Sequence, residues 1–341
     1  MKYCICNNKG GVGKTFLTYA LATEYAKQNP ATLVAVIDMC PQANVSEILL
    51  GGNGQGSENL FKIHDKKLTI SHYIADWLKS PYDTNKKGDE INYFTEPYLY
   101  NNKIPQNIRL VAGSSDLDLY SKGIEFFANA SRQANQKNAW KNVKSWLLSL
   151  TDTQARSLDA RYKNAIFFID CNPSFASYTE LALVATDRLI IPCTADGASV
   201  RALKNVFKIV YGINAEDDYI AMFSKDMKEN NMPLPKISLV IQNRNRNNSN
   251  KPSKAFDGVR AEVQKVKEEY MMKYPELFTN TASVEAVKDC NALLPIISYN
   301  GECLSSLIAG TQYQVYDKKS NAVKTQISGI TTDINNLISK L

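Results

Sequence analysis

The sequence contains no CxxC pair, no internal repeat and no apolar run near the roughly 18 residues that a membrane-spanning helix needs. Seven cysteines make an odd count, so they read as reduced thiols of a cytoplasmic protein and not as a disulfide framework. The N-terminal stretch MKYCICNNKG lacks a long apolar region followed by a small-residue cleavage site, and the expectation is a soluble protein without a signal peptide. What is present is ordinary in bulk: 341 residues, 44% hydrophobic and 22% charged, enough to bury a sizeable core. That length exceeds a typical domain, but wound α/β sheets with insertions reach it, so residues 1–341 are expected to form one domain. The net charge of +6 decides little until it is located.

Short apolar runs alternate with helical patterns. The runs are KYCICN (2–7), TLVAVID (32–38), NIRLVAG (107–113), NAIFFID (164–170), DRLIIPC (187–193) and KISLVIQ (236–242). Runs that are apolar throughout suit strands buried on both faces of a parallel sheet. Helical stretches at 14–29, 178–186 and 198–212 lie between them. The pattern predicts an α/β fold with a doubly wound, mainly parallel sheet and helices on both faces. Two regions break the rhythm, together forming an insertion at about 51–106. Glycine-rich residues 51–63 read as a mobile loop, and polar residues 79–106 as a surface insertion. Near the C-terminus, within a segment at about 302–341, Ile327, Ile330, Ile334, Leu337 and Leu341 fall near one helical face.

The first apolar run leads directly into NKGGVGKT (8–15) and then into a helix. A strand, a glycine loop and a helix N-terminus make a phosphate cradle, because small residues let successive N–H groups point at an anion that the helix dipole also favours. Gly10, Gly11, Val12, Gly13, Lys14, Thr15 and Phe16 form the cradle. Lys14 is expected at the β and γ phosphates and Thr15 on Mg²⁺, with ATP the nucleotide. The usual first glycine is missing, since Asn8 stands there, and a second lysine, Lys9, precedes the glycines.

With that signature, K-G-G-x-G-K-T, the chain resembles the ParA/MinD family of deviant Walker A P-loop ATPases, most closely the ParA partition proteins. The resemblance covers residues 1–50 and 107 to about 300. It implies an ATP-dependent homodimer in which Lys9 crosses to the other subunit's phosphates; taken alone, Lys9 could be a solvated charge. It implies non-specific DNA as a ligand and a ParB-like or other adaptor protein as a partner in positioning a cargo. NAIFFIDCNPSF resembles the family's Walker B segment, which puts Asp170 in the magnesium shell. ISLVIQNR ends where relatives contact adenine, which makes Asn243 a candidate; a strand-end turn residue is the alternative. No helix-turn-helix precedes the loop, so a site-specific DNA-reading arm is not expected.

The family segment Asp-x-Asp-Pro-Gln-Gly-Asn reads here Asp38-Met39-Cys40-Pro41-Gln42-Ala43-Asn44. The resemblance places Asp38 with Thr15 and Asp170 around the metal, and among the catalytic residues with Lys9 and Lys14. It gives the second acidic position a part in orienting the attacking water. Cys40 holds that position, and a neutral thiol is a weak donor and a poor acceptor. Nucleotide binding is therefore expected with slow hydrolysis, or with none in a nucleotide-locked regulatory module. A reactive Cys40 thiolate would need Mg²⁺ or lysines to offset its charge beside phosphates, and sequence leaves open whether Cys171 lies near it.

Between residues 236 and 275 there are nine Lys or Arg against four acids, a local excess of +5. The stretch QNRNRNNSNKPSK carries no acid at all, so Arg244, Arg246, Lys251 and Lys254 are the candidate contacts to the DNA backbone; a solvated helix face is the alternative. MinD-type relatives use a basic amphipathic C-terminal helix on membranes. Residues 322–341 carry only Lys324, Asp333 and Lys340, so the expected surface is DNA, with cytoplasmic and nucleoid-associated location.

Overall fold

The structure is a computed structural model that describes residues 1–83, 89–130, 138–194, 197–245, 247–248, 251–252, 254–290 and 292–341. In chain order the elements are β1 (Lys2–Ile5), α1 (Lys14–Gln28), β2 (Thr32–Met39), α2 (Asn44–Leu49), α3 (Gly52–Asp65), α4 (Ile70–Leu78), β3 (Ile108–Val111), α5 (Leu117–Ala128), α6 (Ala139–Lys144) and α7 (Trp146–Arg156). They continue with β4 (Asn164–Cys171), α8 (Ser177–Val184), β5 (Arg188–Thr194), α9 (Gly197–Tyr211), α10 (Met222–Glu229), β6 (Lys236–Asn245), β7 (Asn247–Asn248), β8 (Lys251–Pro252), α11 (Lys254–Lys273) and β9 (Phe278–Lys288). The chain closes with α12 (Leu294–Asn300), the hairpin β10 (Gln312–Val315) and β11 (Lys318–Asn321), and α13 (Lys324–Ile338).

Seven strands form one sheet in the order β3-β2-β4-β1-β5-β6-β9, and every pairing is parallel. All six apolar runs read from the sequence are strands of this sheet. Alternate residues feed two apolar cores, one on each face: Cys4, Leu33, Ala35 and Ile37 on one side, Tyr3, Ile5, Val34 and Val36 on the other. This is the arrangement that helices on both faces produce, and it explains why the strands read as unbroken apolar runs. The central strands β1 and β4 end side by side, with Ile5 opposite Asp170 and, one strand over, Asp38 opposite Asp170. Ligands of open α/β sheets collect beyond such carboxyl ends.

Residues 51–63, expected as a mobile loop, are instead most of helix α3. The glycines there serve close packing. A Cβ on Gly56 would lie 2.1 Å from the Glu47 carbonyl oxygen in α2, and one on Gly52 would lie 2.4 Å from the Tyr299 carbonyl oxygen. The helix approaches α2 and α12 so closely that side chains at these points would collide. Residues 79–106 also depart from a purely surface reading. Glu90 is buried and accepts hydrogen bonds from Tyr73 (2.9 Å), Ser149 (3.0 Å) and Thr153 (2.7 Å). Thr95 exchanges backbone hydrogen bonds with Leu110, covering the edge of β3. The seventh strand, β9, has no counterpart among the apolar runs; its FTNTASVEAVK is half polar, as suits an edge strand.

Helix α13 buries Ile330, Ile334 and Leu337 and packs on α1 and β9, with the backbone N–H of Lys288 donating to Asp333 at 2.9 Å. The apolar stripe read from the C-terminal sequence thus faces the protein body. Among the described residues no helix is long and apolar enough to cross a membrane.

Candidate functional site

The phosphate loop leaves β1 and is pinned before it turns. Asn7, fully buried, donates its side-chain amide to the Pro192 carbonyl on β5 at 2.6 Å and accepts from the Lys9 N–H at 3.0 Å. Gly11 and Gly13 adopt φ of +72° and +88°, and Gly13 forms the N-cap of α1. No atom lies within 4 Å of where a Cβ on Gly10 or Gly11 would stand, so both face open space. Gly13 is different: a Cβ there would come within 2.0 Å of the Asn243 side-chain nitrogen. Asn243 is buried and donates that amide to the Val12 carbonyl at 2.9 Å. Here the asparagine braces the loop from β6, and only glycine leaves room for it.

Lys14 reaches back over its own loop. Its Nζ donates to the Asn7 and Lys9 carbonyls at 3.1 and 3.0 Å, and burial pulls its pKa down against the pull of Cys6 and Asp170. Lys9 points within its own chain, its Nζ donating to the Thr194 hydroxyl at 2.9 Å. Thr194 in turn meets Ser199 at the start of α9, so the second lysine rests on the end of β5.

The two aspartates differ sharply in how they are bonded. The Asp38 carboxylate accepts from the Cys40 N–H (3.1 Å), the Ser46 N–H (3.1 Å) and the Ser46 hydroxyl (2.7 Å). It ties the β2 turn to α2, and Ser46 extends the tie by accepting from the Gly113 N–H at 2.9 Å. Burial lifts its pKa to about 6 despite those donors. Asp170 accepts at Oδ1 from the Thr18 hydroxyl at 3.2 Å, which has a competing acceptor in the Lys14 carbonyl at 3.0 Å, and it also feels the Thr15 hydroxyl. Its Oδ2 is buried with no hydrogen bond. Burial, and then the charge of Asp38, lift its pKa to about 7. An orphaned carboxylate oxygen beside the phosphate loop suits a divalent cation, so the donor set fits Mg²⁺ held with Thr15.

A cleft of about 440 Å³ opens over the loop, lined by Gly10, Gly11, Lys14, Thr15, Cys40 and Arg244 among others. Cys40 is buried at its wall, and burial together with the charge of Asp38 pushes its pKa up to about 12, so it is a protonated thiol. Cys171 also reaches the cleft, but its sulfur lies 3.1 Å from Cys4. Ala43 takes φ +51°, a left-handed conformation that glycine adopts freely. Lys9 to Phe16, Asp38, Asp170, Asn243 and Arg244 therefore gather at one end of the sheet. Lys251 lies in β8 and Lys254 opens α11, while Arg246 falls outside the described residues. Thr18, Ser46 and Thr194 were not singled out from sequence. Thr18 was the most accessible of them, one helical turn beyond Lys14 on the same face of α1.

Residues 2–220 match the AAA_31 family, described as an AAA domain. The chromosome partitioning protein ParA of Myxococcus xanthus is 27% identical over 203 residues, covering 60% of this chain and 55% of that protein. The chain thus spans just over half the length of this curated relative. Among solved structures, apo McdA of Cyanothece aligns with a TM-score of 0.59 at 15% identity over 98% of both chains. A McdA variant in complex with ATP aligns with a TM-score of 0.60 at 15% identity, covering 100% of this chain and 96% of that one. At such identity these likenesses speak for the fold. The family match covers well over half of the sequence, and with the loop, the two aspartates and the parallel sheet in place the chain belongs to the AAA_31 family, as a P-loop ATPase of ParA/MinD type.

Proposed function

We propose that this chain is an ATP-dependent dimerising switch that binds DNA without reading its sequence and positions a plasmid, chromosome or other cargo with a ParB-like or other adaptor protein. The observation that carries the reading is the loop itself: open glycines, a buried Lys14, a second lysine ahead of them and an orphaned Asp170 oxygen behind. Residues 1–341 would act as one domain, with the 51–106 insertion and the 302–341 segment packed onto it.

In this reading the N–H groups of residues 10–16 and Lys14 bind the phosphates of ATP, and Lys14 exchanges its two loop carbonyls for phosphate oxygens. Thr15 and Asp170 hold Mg²⁺, with Asp38 contributing from behind while it anchors α2. Bound Mg²⁺ supplies charge neutralisation at the phosphoryl oxygens. Lys9 leaves Thr194 and reaches the partner protomer's phosphates, and Asn243, at the rim of the loop, turns toward the base. Arg244, at the cleft, together with Arg246, Lys251 and Lys254, contacts the DNA backbone, so that the protein is nucleoid-associated in the cytoplasm when dimeric. Cys40 makes hydrolysis slow.

A second reading, a nucleotide-locked regulatory module, draws support from the same place. Cys40 offers no carboxylate, and the three donors on Asp38 leave it poorly placed to take over. A MinD-like membrane role is disfavoured because α13 buries its apolar face.

Light scattering with ATP and Mg²⁺ tests the switch. Wild type should double its mass and then retain unrelated duplexes. Lys9→Ala should stay monomeric while still binding ATP, and Lys14→Ala should lose both. Replacing Arg244, Arg246, Lys251 and Lys254 should flatten the salt dependence by about 0.9 per lost phosphate contact. An ATP-dependent dimer that survives Lys9→Ala would remove the trans role.

A further inference from the structure

Three of the seven cysteines meet directly behind the phosphate loop. Cys4 and Cys6 are two residues apart along the line of β1 and so point to one face, while Cys171 is the last residue of β4. The parallel register that sets Ile5 beside Asp170 brings Cys6 alongside Cys171. The Cys4 and Cys171 sulfurs are 3.1 Å apart, and all three Sγ atoms lie within 4.8 Å of one another. Their residues are 0%, 5% and 1% exposed. Among the described residues no other group of three His, Cys, Asp or Glu side chains gathers its donor atoms this tightly.

We propose that Cys4, Cys6 and Cys171 form a three-thiolate site for a soft closed-shell cation, monovalent copper. Three sulfurs at about 2.3 Å from a trigonal centre stand about 4 Å apart, which the observed spacing brackets. The group has sulfur donors only, which select a thiophilic ion, and no fourth described ligand, which disfavours the tetrahedral shell of zinc. Hard Mg²⁺ prefers oxygen and stays with Asp170 and Thr15, so the two sites do not compete for one ion. Cys171 lines the cleft, which gives the cation an entry and the three displaced thiol protons an exit to solvent. Lys14, which feels the charges of Cys6 and Cys171, offsets part of the negative charge of the loaded site. The site adjoins the ATPase loop but is independent of the proposed switch.

The test uses the full chain, reduced and kept without oxygen, titrated with Cu(I) against a chromophoric Cu(I) chelator. One equivalent should bind, and X-ray absorption should show three sulfurs at about 2.3 Å. Cys6→Ser and Cys171→Ser should each lower the affinity at least about tenfold, while Cys303→Ser leaves it unchanged. Because buried variants can misfold, the wild type is also alkylated with N-ethylmaleimide under native conditions with and without Cu(I), quenched, and mapped by mass spectrometry. Copper should slow the modification of Cys4, Cys6 and Cys171 and leave that of Cys290 and Cys303 unchanged. No uptake from the chelator, protection falling on other cysteines, or Zn²⁺ bound as tightly as Cu(I) would each overturn the assignment.

Discussion

Asp38 and Asp170 stand opposite each other on adjacent strands, both fully buried, yet the fold treats them oppositely. Three donors saturate Asp38, and its carboxylate is the joint between the β2 turn and α2. Asp170 keeps one oxygen without any partner. A buried polar atom left unpaired is expensive, so its persistence points to a ligand that completes it, whereas a satisfied carboxylate needs none. Of two aspartates that sequence motifs place in one metal shell, one is thus satisfied within the protein and the other keeps an oxygen open.

The largest effect that sharpens this contrast concerns the neighbour of Asp38. If Asp38 is committed to α2, no carboxylate in the β2 turn is free to orient water, and Cys40 leaves that position neutral. Cys40→Asp should then accelerate steady-state phosphate release by about 10² or more at saturating ATP, the usual worth of a positioned base. An added charge near phosphates also repels them, by roughly 4 kcal/mol at 4 Å and a dielectric of 20, but Lys14 and Mg²⁺ oppose most of this. Phosphate release measured for wild type, Cys40→Ala and Cys40→Asp decides the point. Brisk wild-type turnover that Cys40→Ala leaves unchanged would mean that another group positions the water.

Next in size is the metal itself. Asp170→Asn should erase the dependence of ATP affinity on Mg²⁺, a loss of about 10- to 100-fold that EDTA reproduces in the wild type. Asp38→Asn should instead disturb the bonds to Cys40 and Ser46 and lower stability by about 1–3 kcal/mol, with a milder effect on affinity. Calorimetric titration and melting on both variants separate the roles. Equal losses of Mg²⁺ dependence would collapse the contrast.

Much of this was legible in the sequence because the determinants are local. Six apolar runs specify six strands, and the loop motif lies where strand passes to helix. What the sequence concealed depends on contacts between distant segments. Gly52 and Gly56 look like loop residues until α12 and α2 are seen pressed against them. The half-polar β9 joins the sheet only because β6 offers it an edge. Asp38 looks like a free carboxylate until Ser46, eight residues on, closes over it.

A smaller effect follows from protonation. The folded pKa values of about 6 and about 7 lie above the ordinary carboxylate value near 3.9, so between about pH 4 and 7 the folded state holds more protons than the unfolded chain. Stability of the metal-free protein should therefore fall as pH rises through that window. Melting midpoints in EDTA from pH 5 to 7.5 should decline, and Asp170→Asn should flatten the upper part of the decline. Mg²⁺ should do the same at pH 7, by taking the place of the proton. A profile unaffected by Asp170→Asn would assign the pH dependence to other groups.

The smallest predicted effect lies in the turn that carries the saturated aspartate. Ala43 holds φ +51°, where an L side chain crowds its own backbone at about 1–2 kcal/mol. Its N–H closes the turn onto the Cys40 carbonyl at 3.0 Å, so the conformation is fixed by the same β2-to-α2 joint that occupies Asp38. Ala43→Gly removes the crowding but frees the unfolded chain, which opposes folding by about 0.4–1 kcal/mol. The backbone relief is the larger of the two. The Ala43 methyl is buried beside Gly113, so losing it also gives up some packing and offsets part of the relief. Ala43→Gly should therefore stabilise the protein by somewhat under 1 kcal/mol, raising the melting midpoint by about 1 °C for a chain of this size. Nucleotide affinity should not change, because the turn keeps its shape. A lower midpoint would mean that the joint holds Ala43 without strain. The tie between Asp38 and α2 would then be looser than its three hydrogen bonds imply.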